Sequence, residues 1–227
     1  LEKSQITMDA AKLRQELKRQ RKLQAELERL EGMLVYEREY RPLGVVCGID
    51  EVGRGPLAGP VVAGAVILPE DCQILYLNDS KKLTERRREL LYEEIIEKAV
   101  AIGLGVVSQE RIDEINILQA TYEAMREAVG KLNPQPEILL NDAVTIPGLS
   151  QRQIPIIKGD AKSQSIAAAS VVAKVTRDHM MIALDEAYPQ YGFASNKGYG
   201  SAAHMAALRE YGPCPLHRRT FIRNICG

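Results

Sequence analysis

Tryptophan is absent from the 227 residues and phenylalanine occurs twice, so the core has to be built from Leu, Ile, Val and Ala. Thirty basic side chains balance thirty acidic ones. With no net charge there is no global field to attract a polyanion, and any such partner must be held by a local patch or through metal ions. No apolar run is long enough for a membrane span. No basic stretch followed by a hydrophobic one opens the sequence, so no export signal is visible and the cytoplasm is the expected compartment. Cys47, Cys72, Cys214 and Cys226 show no C-x-x-C spacing, which argues against a zinc site made from these residues. Cys47, inside an apolar run, reads as a small core residue, and reduced thiols fit the expected compartment.

What is present falls into two regions. Residues 1–44 are dense in Lys, Arg, Glu and Gln, and Leu23, Leu27, Leu30 and Leu34 repeat at four-three-four spacing. That spacing predicts one apolar stripe on a helical extension, continued imperfectly by Leu13 and Leu17 and too short for a coiled coil. A helix docked on the domain is favoured over an arm reaching a nucleic acid or a partner chain. Residues 45–227 read as one domain of about the usual size.

The domain opens with an apolar strand that Asp50 and Glu51 interrupt. A loop with Gly53, Arg54, Gly55, Pro56, Gly59 and Pro60 follows, and residues 61–68 are apolar again. This predicts strand, glycine-rich turn, strand. Carboxylates beside Ile49 and Val52 are costly to desolvate unless something compensates them, and hard divalent cations prefer such oxygen ligands. The adjacent glycines let backbone N–H groups approach a ligand closely.

Further on, Thr84 starts a helix over residues 85–100. Residues 102–107 form a strand, and residues 108–130 one or two helices. Residues 137–144 form a buried strand with Asp142 near its C-terminal end, where ligands collect in α/β sheets. Residues 154–157 make a brief edge strand. Lys158, Gly159, Asp160, Ala161, Lys162 and Ser163 then open a helix that runs through an Ala-Ser segment to Asp178. Lys158, Lys162 and Ser163 at a helix start suit an anion, and Lys81 and Lys82 can meet a phosphate. Ala167, Val171, Lys174 and Asp178 share one helix face, so spacing alone favours an ion pair between Lys174 and Asp178. From Lys197 onward there are five Lys or Arg and one acid, with Tyr199 in a glycine loop able to lie on a sugar or base.

Five segments together resemble the ribonuclease HII family, type 2 ribonuclease H. They are Gly48-Ile49-Asp50-Glu51-Val52-Gly53-Arg54-Gly55-Pro56 with the residues to Val62, Asp79-Ser80-Lys81-Lys82-Leu83, Lys158-Gly159-Asp160 with the Ala-Ser helix, Arg177-Asp178, and Lys197-Gly198-Tyr199-Gly200 with His204. The resemblance spans about residues 45–220. It implies an α/β, ribonuclease H-like fold: a mixed central sheet flanked by helices, with a helical C-terminal part. It implies a metal-dependent endonuclease, using Mg²⁺ or Mn²⁺, that cleaves the RNA strand of RNA–DNA hybrids. It also implies nicking 5′ of single ribonucleotides in duplex DNA, giving 3′-hydroxyl and 5′-phosphate ends, as in ribonucleotide excision repair. Asp50, Glu51, Asp142 and Asp178 then map onto the metal-binding acids, Gly53, Arg54 and Gly55 onto the loop reading the ribose 2′-hydroxyl, and Tyr199 onto the junction-stacking tyrosine. A monomer is expected. Two positions depart from the family pattern: Asn141 stands where an aliphatic residue is usual, and Ser201 where Thr is common. A DNA-only nuclease of the same fold and a binding module without catalysis are the competing functions; the 2′-hydroxyl loop argues against the first and the intact acids against the second.

Overall fold

The computed structural model describes residues 2–226, with side chains from 12 to 225. The extension forms α1 (Glu2–Gly32) and α2 (Val35–Tyr40). The domain continues through β1 (Val46–Val52), β2 (Val61–Ile67), α3 (Glu85–Lys98), β3 (Ala101–Val107), α4 (Gln109–Ile115), α5 (Ile117–Gly130), β4 (Ile138–Asp142), β5 (Arg152–Ile156) and α6 (Gln164–Asp185). The C-terminal part is helical: α7 (Phe193–Asn196), α8 (Ala202–Tyr211) and α9 (Arg219–Cys226). The sheet order is β3-β2-β1-β4-β5. β1, β2 and β3 pair antiparallel, whereas β4 and β5 add parallel to β1. This is the mixed sheet that the family resemblance implies. The helix over residues 85–98 begins where expected, because the Thr84 side chain accepts from the Arg87 N–H. Asn116, at φ +69°, divides residues 109–130 into two helices and caps the second with its side chain.

An aromatic-poor core is closed by letting helix backbone approach sheet backbone. α5 covers one face, where Cys47, Ile49, Ala63 and Ala65 meet Ala120, Ala124 and Ala128. α6 covers the other with Ala167, Ala168 and Ala169. On the α6 face a Cβ at Gly48 would stand 2.0 Å from the Ser165 carbonyl carbon, so that position accepts nothing larger than hydrogen. Strand side chains alternate. Asp50, two residues after Gly48, therefore also points at α6, and the close helix leaves it buried.

Only the C-terminal end of α1 is docked. Leu30, Met33 and Leu34 are buried, whereas Leu13, Leu17 and Leu23 are exposed, so the predicted leucine stripe is covered over about half its length. Glu26 accepts from Arg29 and from the Tyr76 N–H, and Arg29 donates to the Leu77 carbonyl at 2.7 Å. In α2 the buried Glu37 carboxylate accepts from the Ser163 hydroxyl at 2.6 Å and the Ser165 N–H at 2.9 Å. Burial pushes its pKa up, and those two hydrogen bonds oppose the rise. The extension thus places an acid of its own on the N-terminus of α6, where exposed backbone N–H groups favour negative charge.

Candidate active site

β1 and β4 place the first two acids side by side. Ile49 pairs with Asn141 across parallel strands, so Asp50 and Asp142 follow in register on the same face. Asp142 accepts from the Gly159 N–H at 2.7 Å. Gly159 opens a 3-10 turn, Gly159–Ala161, which carries the buried Asp160 into the same place. Asp50 is pushed well above the usual carboxylate range by burial, then by Glu51 and Asp142, while a Ser170 hydrogen bond opposes the shift. Burial raises Glu51 against the pull of Arg54, which lies 3.2 Å away. Burial, then Asp79 and Asp142, raise Asp160. Lys81 faces these acids: burial works against its charge, but Asp50, Asp79, Asp160 and Glu51 together hold its pKa up.

Negative charge is therefore in excess in a desolvated place. The acids that meet there offer carboxylate oxygens, the ligand type that hard divalent cations prefer. Among the described residues no three such side chains are already drawn to a single coordination point. Asp142 is turned to Gly159 and Glu51 to Arg54, so these acids fit a cation after side-chain rotation.

Two of the expected site residues are seated elsewhere. Asp178 is buried, but its carboxylate lies 2.6 Å from Lys174 and 3.8 Å from Arg88, and no described interaction joins it to the other acids. The ion pair that spacing favoured is the one formed. Asp160 takes the place in the cluster instead. The signal for Asp160 was its position just past β5: in a parallel pair the loops after neighbouring strands emerge at the same edge, beside Asp142. Ser163 is wholly buried, bonded to Glu37 and capping Ile166, so it is closed to a ligand, unlike the exposed Lys158 and Lys162. Asn141 is also buried and holds β5 by donating to Gln153 at 2.9 Å.

The glycine loop is fastened from below by two buried arginines. Arg218 donates to the carbonyls of Gly53, Arg54 (2.9 Å) and Gly59 (3.0 Å). Arg177 donates to those of Pro60 (2.8 Å), Ala58 (3.1 Å) and Lys197 (2.9 Å). Burial lowers both pKa values, Arg177 to about 10 and Arg218, which also feels Arg177, to about 9. Arg218, one of the five basic residues from Lys197 onward, is therefore structural. In a planar trans peptide the N–H points opposite to the C=O. Anchoring the Gly53 and Arg54 carbonyls thus turns the N–H groups of Arg54 and Gly55 away from Arg218. Arg54 and Gly55 line an open cleft with Glu51, Gly53, Lys81 and Tyr199.

Tyr199 is half-exposed beside Gly55. Its carbonyl accepts from His204 Nδ1 at 2.8 Å, His204 Nε2 meets His217 Nε2 at 3.0 Å, and His217 Nδ1 accepts from the Cys214 N–H at 3.0 Å. Each link is satisfied with both rings neutral. Burial lowers both pKa values, His217 to about 4 with help from His204, which keeps the chain intact at neutral pH.

A family model described as Ribonuclease HII matches residues 47–224. The ribonuclease HII of Lachnoclostridium phytofermentans is 64% identical over 207 residues, covering 91% of this chain and 82% of that protein. That of Bacillus subtilis is 56% identical over 207 residues, covering 90% and 81%. The crystal structure of ribonuclease H2 from Pyrococcus horikoshii superposes with a TM-score of 0.67 at 30% identity, covering 80% of this chain and 96% of that one. With its mixed sheet and carboxylate cluster, the chain belongs to the ribonuclease HII family: it is a ribonuclease H, an endonuclease of the RNA strand of RNA–DNA hybrids.

Proposed function

We propose that the enzyme also nicks duplex DNA 5′ of a single embedded ribonucleotide, by two-metal-ion hydrolysis leaving 3′-hydroxyl and 5′-phosphate ends. The observation that carries this reading is the shared cleft: Glu51 of the acid cluster borders one opening with Arg54, Gly55, Tyr199 and Lys81, and Lys81 feels Asp50 and Asp160 as well. The residues that would hold Mg²⁺ or Mn²⁺ are Asp50, Glu51, Asp142 and Asp160, and such ions supply water activation and stabilisation of the leaving oxygen. Lys81 is placed to neutralise a phosphate beside the acids. Lys158 and Lys162, exposed at the turn carrying Asp160, extend that positive contact along the backbone. The rigid loop reads the 2′-hydroxyl, the group that separates RNA from DNA, through main-chain atoms, so base preference is low. Tyr199 stacks on the sugar next to the ribonucleotide and marks the junction. The compartment is proposed to be the cytoplasm and the working unit a monomer; no described helix is long and apolar enough to cross a membrane.

The test is a labelled duplex with one ribonucleotide, incubated with Mg²⁺ or Mn²⁺ or with chelator, beside an all-DNA duplex. Metal-dependent nicking 5′ of the ribonucleotide with the control intact supports the reading. Nicking of the control would replace it with a structure-specific DNA nuclease.

Two substitutions probe the substrate side. Tyr199→Ala removes a stacking surface worth about 1–3 kcal/mol. Cleavage at a single ribonucleotide should therefore fall roughly 10- to 100-fold, with a smaller loss on long hybrids, read as kcat/KM on each. Equal losses would remove the junction role. Arg218→Lys replaces a planar fork by a point charge that cannot span the Gly53, Arg54 and Gly59 carbonyls. Misplacement of the loop by about 1 Å should cost on the order of 10²-fold in ribonucleotide cleavage. An unchanged rate would show that the loop holds its shape without the fork.

A further inference from the structure

α1 presents a strongly basic surface in a chain of zero net charge. Residues 12–22 contain six Lys or Arg and one acid, Glu16, and every one of them is exposed. Lys12, Lys18, Arg19 and Lys22 line an open groove of about 880 Å³ between α1 and Leu75–Tyr76. Arg87, in the first turn of α3, stacks over the Tyr76 ring at 4.5 Å on the same segment. Glu26, the nearest acid on α1 toward the core, is already engaged by Arg29 and the Tyr76 N–H.

The segment that forms one wall of this groove leads along the chain to the catalytic cleft. Glu26 and Arg29 fasten α1 to Tyr76 and Leu77, and the chain passes from there through Asn78 and Asp79 to Lys81 among the acids. Lys81 stands at the cleft and Arg87 over Tyr76 at the foot of α1, and Lys22, Arg19, Lys18 and Lys12 continue outward. From Arg29 to Lys12 is about 26 Å at 1.5 Å per residue. That is the length of about seven or eight base pairs of duplex.

We infer that the basic face of α1 is a second nucleic-acid contact, which grips phosphates of the duplex flanking the cleavage site. The inference rests on the proposed duplex substrate and adds an interaction surface to it. Charge complementarity selects the occupant: a polyanion held in the cleft meets a row of four cations, Lys12, Lys18, Arg19 and Lys22, against the single acid Glu16 in the same groove. The arm supplies affinity and no chemistry, since none of its side chains is near the acids.

The experiment uses the full chain carrying K12Q, K18Q, R19Q and K22Q together. Glutamine is a good helix former, so the exposed helix is preserved. Affinity is measured in chelator, over a range of salt, for ribonucleotide-containing duplexes of about 30 and about 10 base pairs, and kcat is measured at saturating substrate with metal. The long duplex should bind at least about tenfold more weakly in the variant, and the slope of log affinity against log salt should shrink by about 3.6, since each of the four lost phosphate contacts removes about 0.9. The short duplex and kcat should not change. R14Q with R21Q, away from Lys12 and Arg19 but beside Lys18 and Lys22, should weaken the long duplex less than the quadruple variant does. An unaltered salt slope on the long duplex would overturn the inference, as would an equal loss on the short one or a change in self-association alone. A wild-type enzyme that binds through the arm but fails to nick at the ribonucleotide would instead count against the proposed cleavage reaction.

Discussion

Asp50→Asn is expected to abolish hydrolysis while leaving duplex binding measurable. The substitution keeps the shape and removes one charge from the centre of the cluster, the carboxylate that burial, Glu51 and Asp142 all push toward the neutral form. In the free enzyme that charge is a liability, which only a bound cation turns into an asset. The variant should lose on the order of 10³-fold or more in kcat, the scale seen when a preorganised electrostatic group is removed from a reacting centre. Two thermal melts separate this cause from misfolding. In chelator the variant should melt at or above the wild type, because a buried, repelled charge is gone. On adding Mn²⁺ the wild type should be stabilised by ligand linkage and the variant much less. Wild-type turnover, or an equal metal-induced shift in both proteins, would remove Asp50 from the metal site.

Local sequence carried the elements whose cause is local. The apolar runs either side of the glycine loop, the Thr84 cap and the strand ending at Asp142 are each set by neighbours in the chain, and the structure has them within a few residues. Asp50, Glu51 and Asp142 stood out for the same reason: an acid inside or at the end of an apolar strand is anomalous where it stands. What pattern could not resolve is where a polar side chain goes once the sheet is assembled. Arg218 and Ser163 have the composition of a phosphate site, yet one is spent on loop carbonyls and the other on Glu37. Nothing near residue 37 announces that its carboxylate will meet a helix N-terminus more than a hundred residues later. The leucine repeat predicts one apolar stripe from Leu23 to Leu34, but only Leu30 and Leu34 of it are buried, and Leu23 stays exposed.

The sharpest disagreement concerns the fourth acid, and it can be settled by comparing Asp160→Asn with Asp178→Asn. Asp160 reaches the cluster only because β5 runs parallel to β4 and delivers the Gly159 turn to Asp142, a long-range register that spacing along one helix cannot reveal. Asp178 instead compensates Lys174, whose own burial lowers its pKa, with Arg88 close by. Asp160→Asn should therefore cost about 10²- to 10³-fold in kcat, with stability in chelator unchanged or raised. Asp178→Asn should keep kcat within a few-fold and lose about 3 kcal/mol, the usual result of leaving a buried cation without its partner. For a chain of this length that is a drop of about 10 °C in Tm. The two losses fall on different axes, one kinetic and one thermodynamic. If Asp178→Asn were inactive yet melted with the wild type, the helix acid would have to swing into the cluster during catalysis. The assignment of Asp160 as the fourth ligand would then fail.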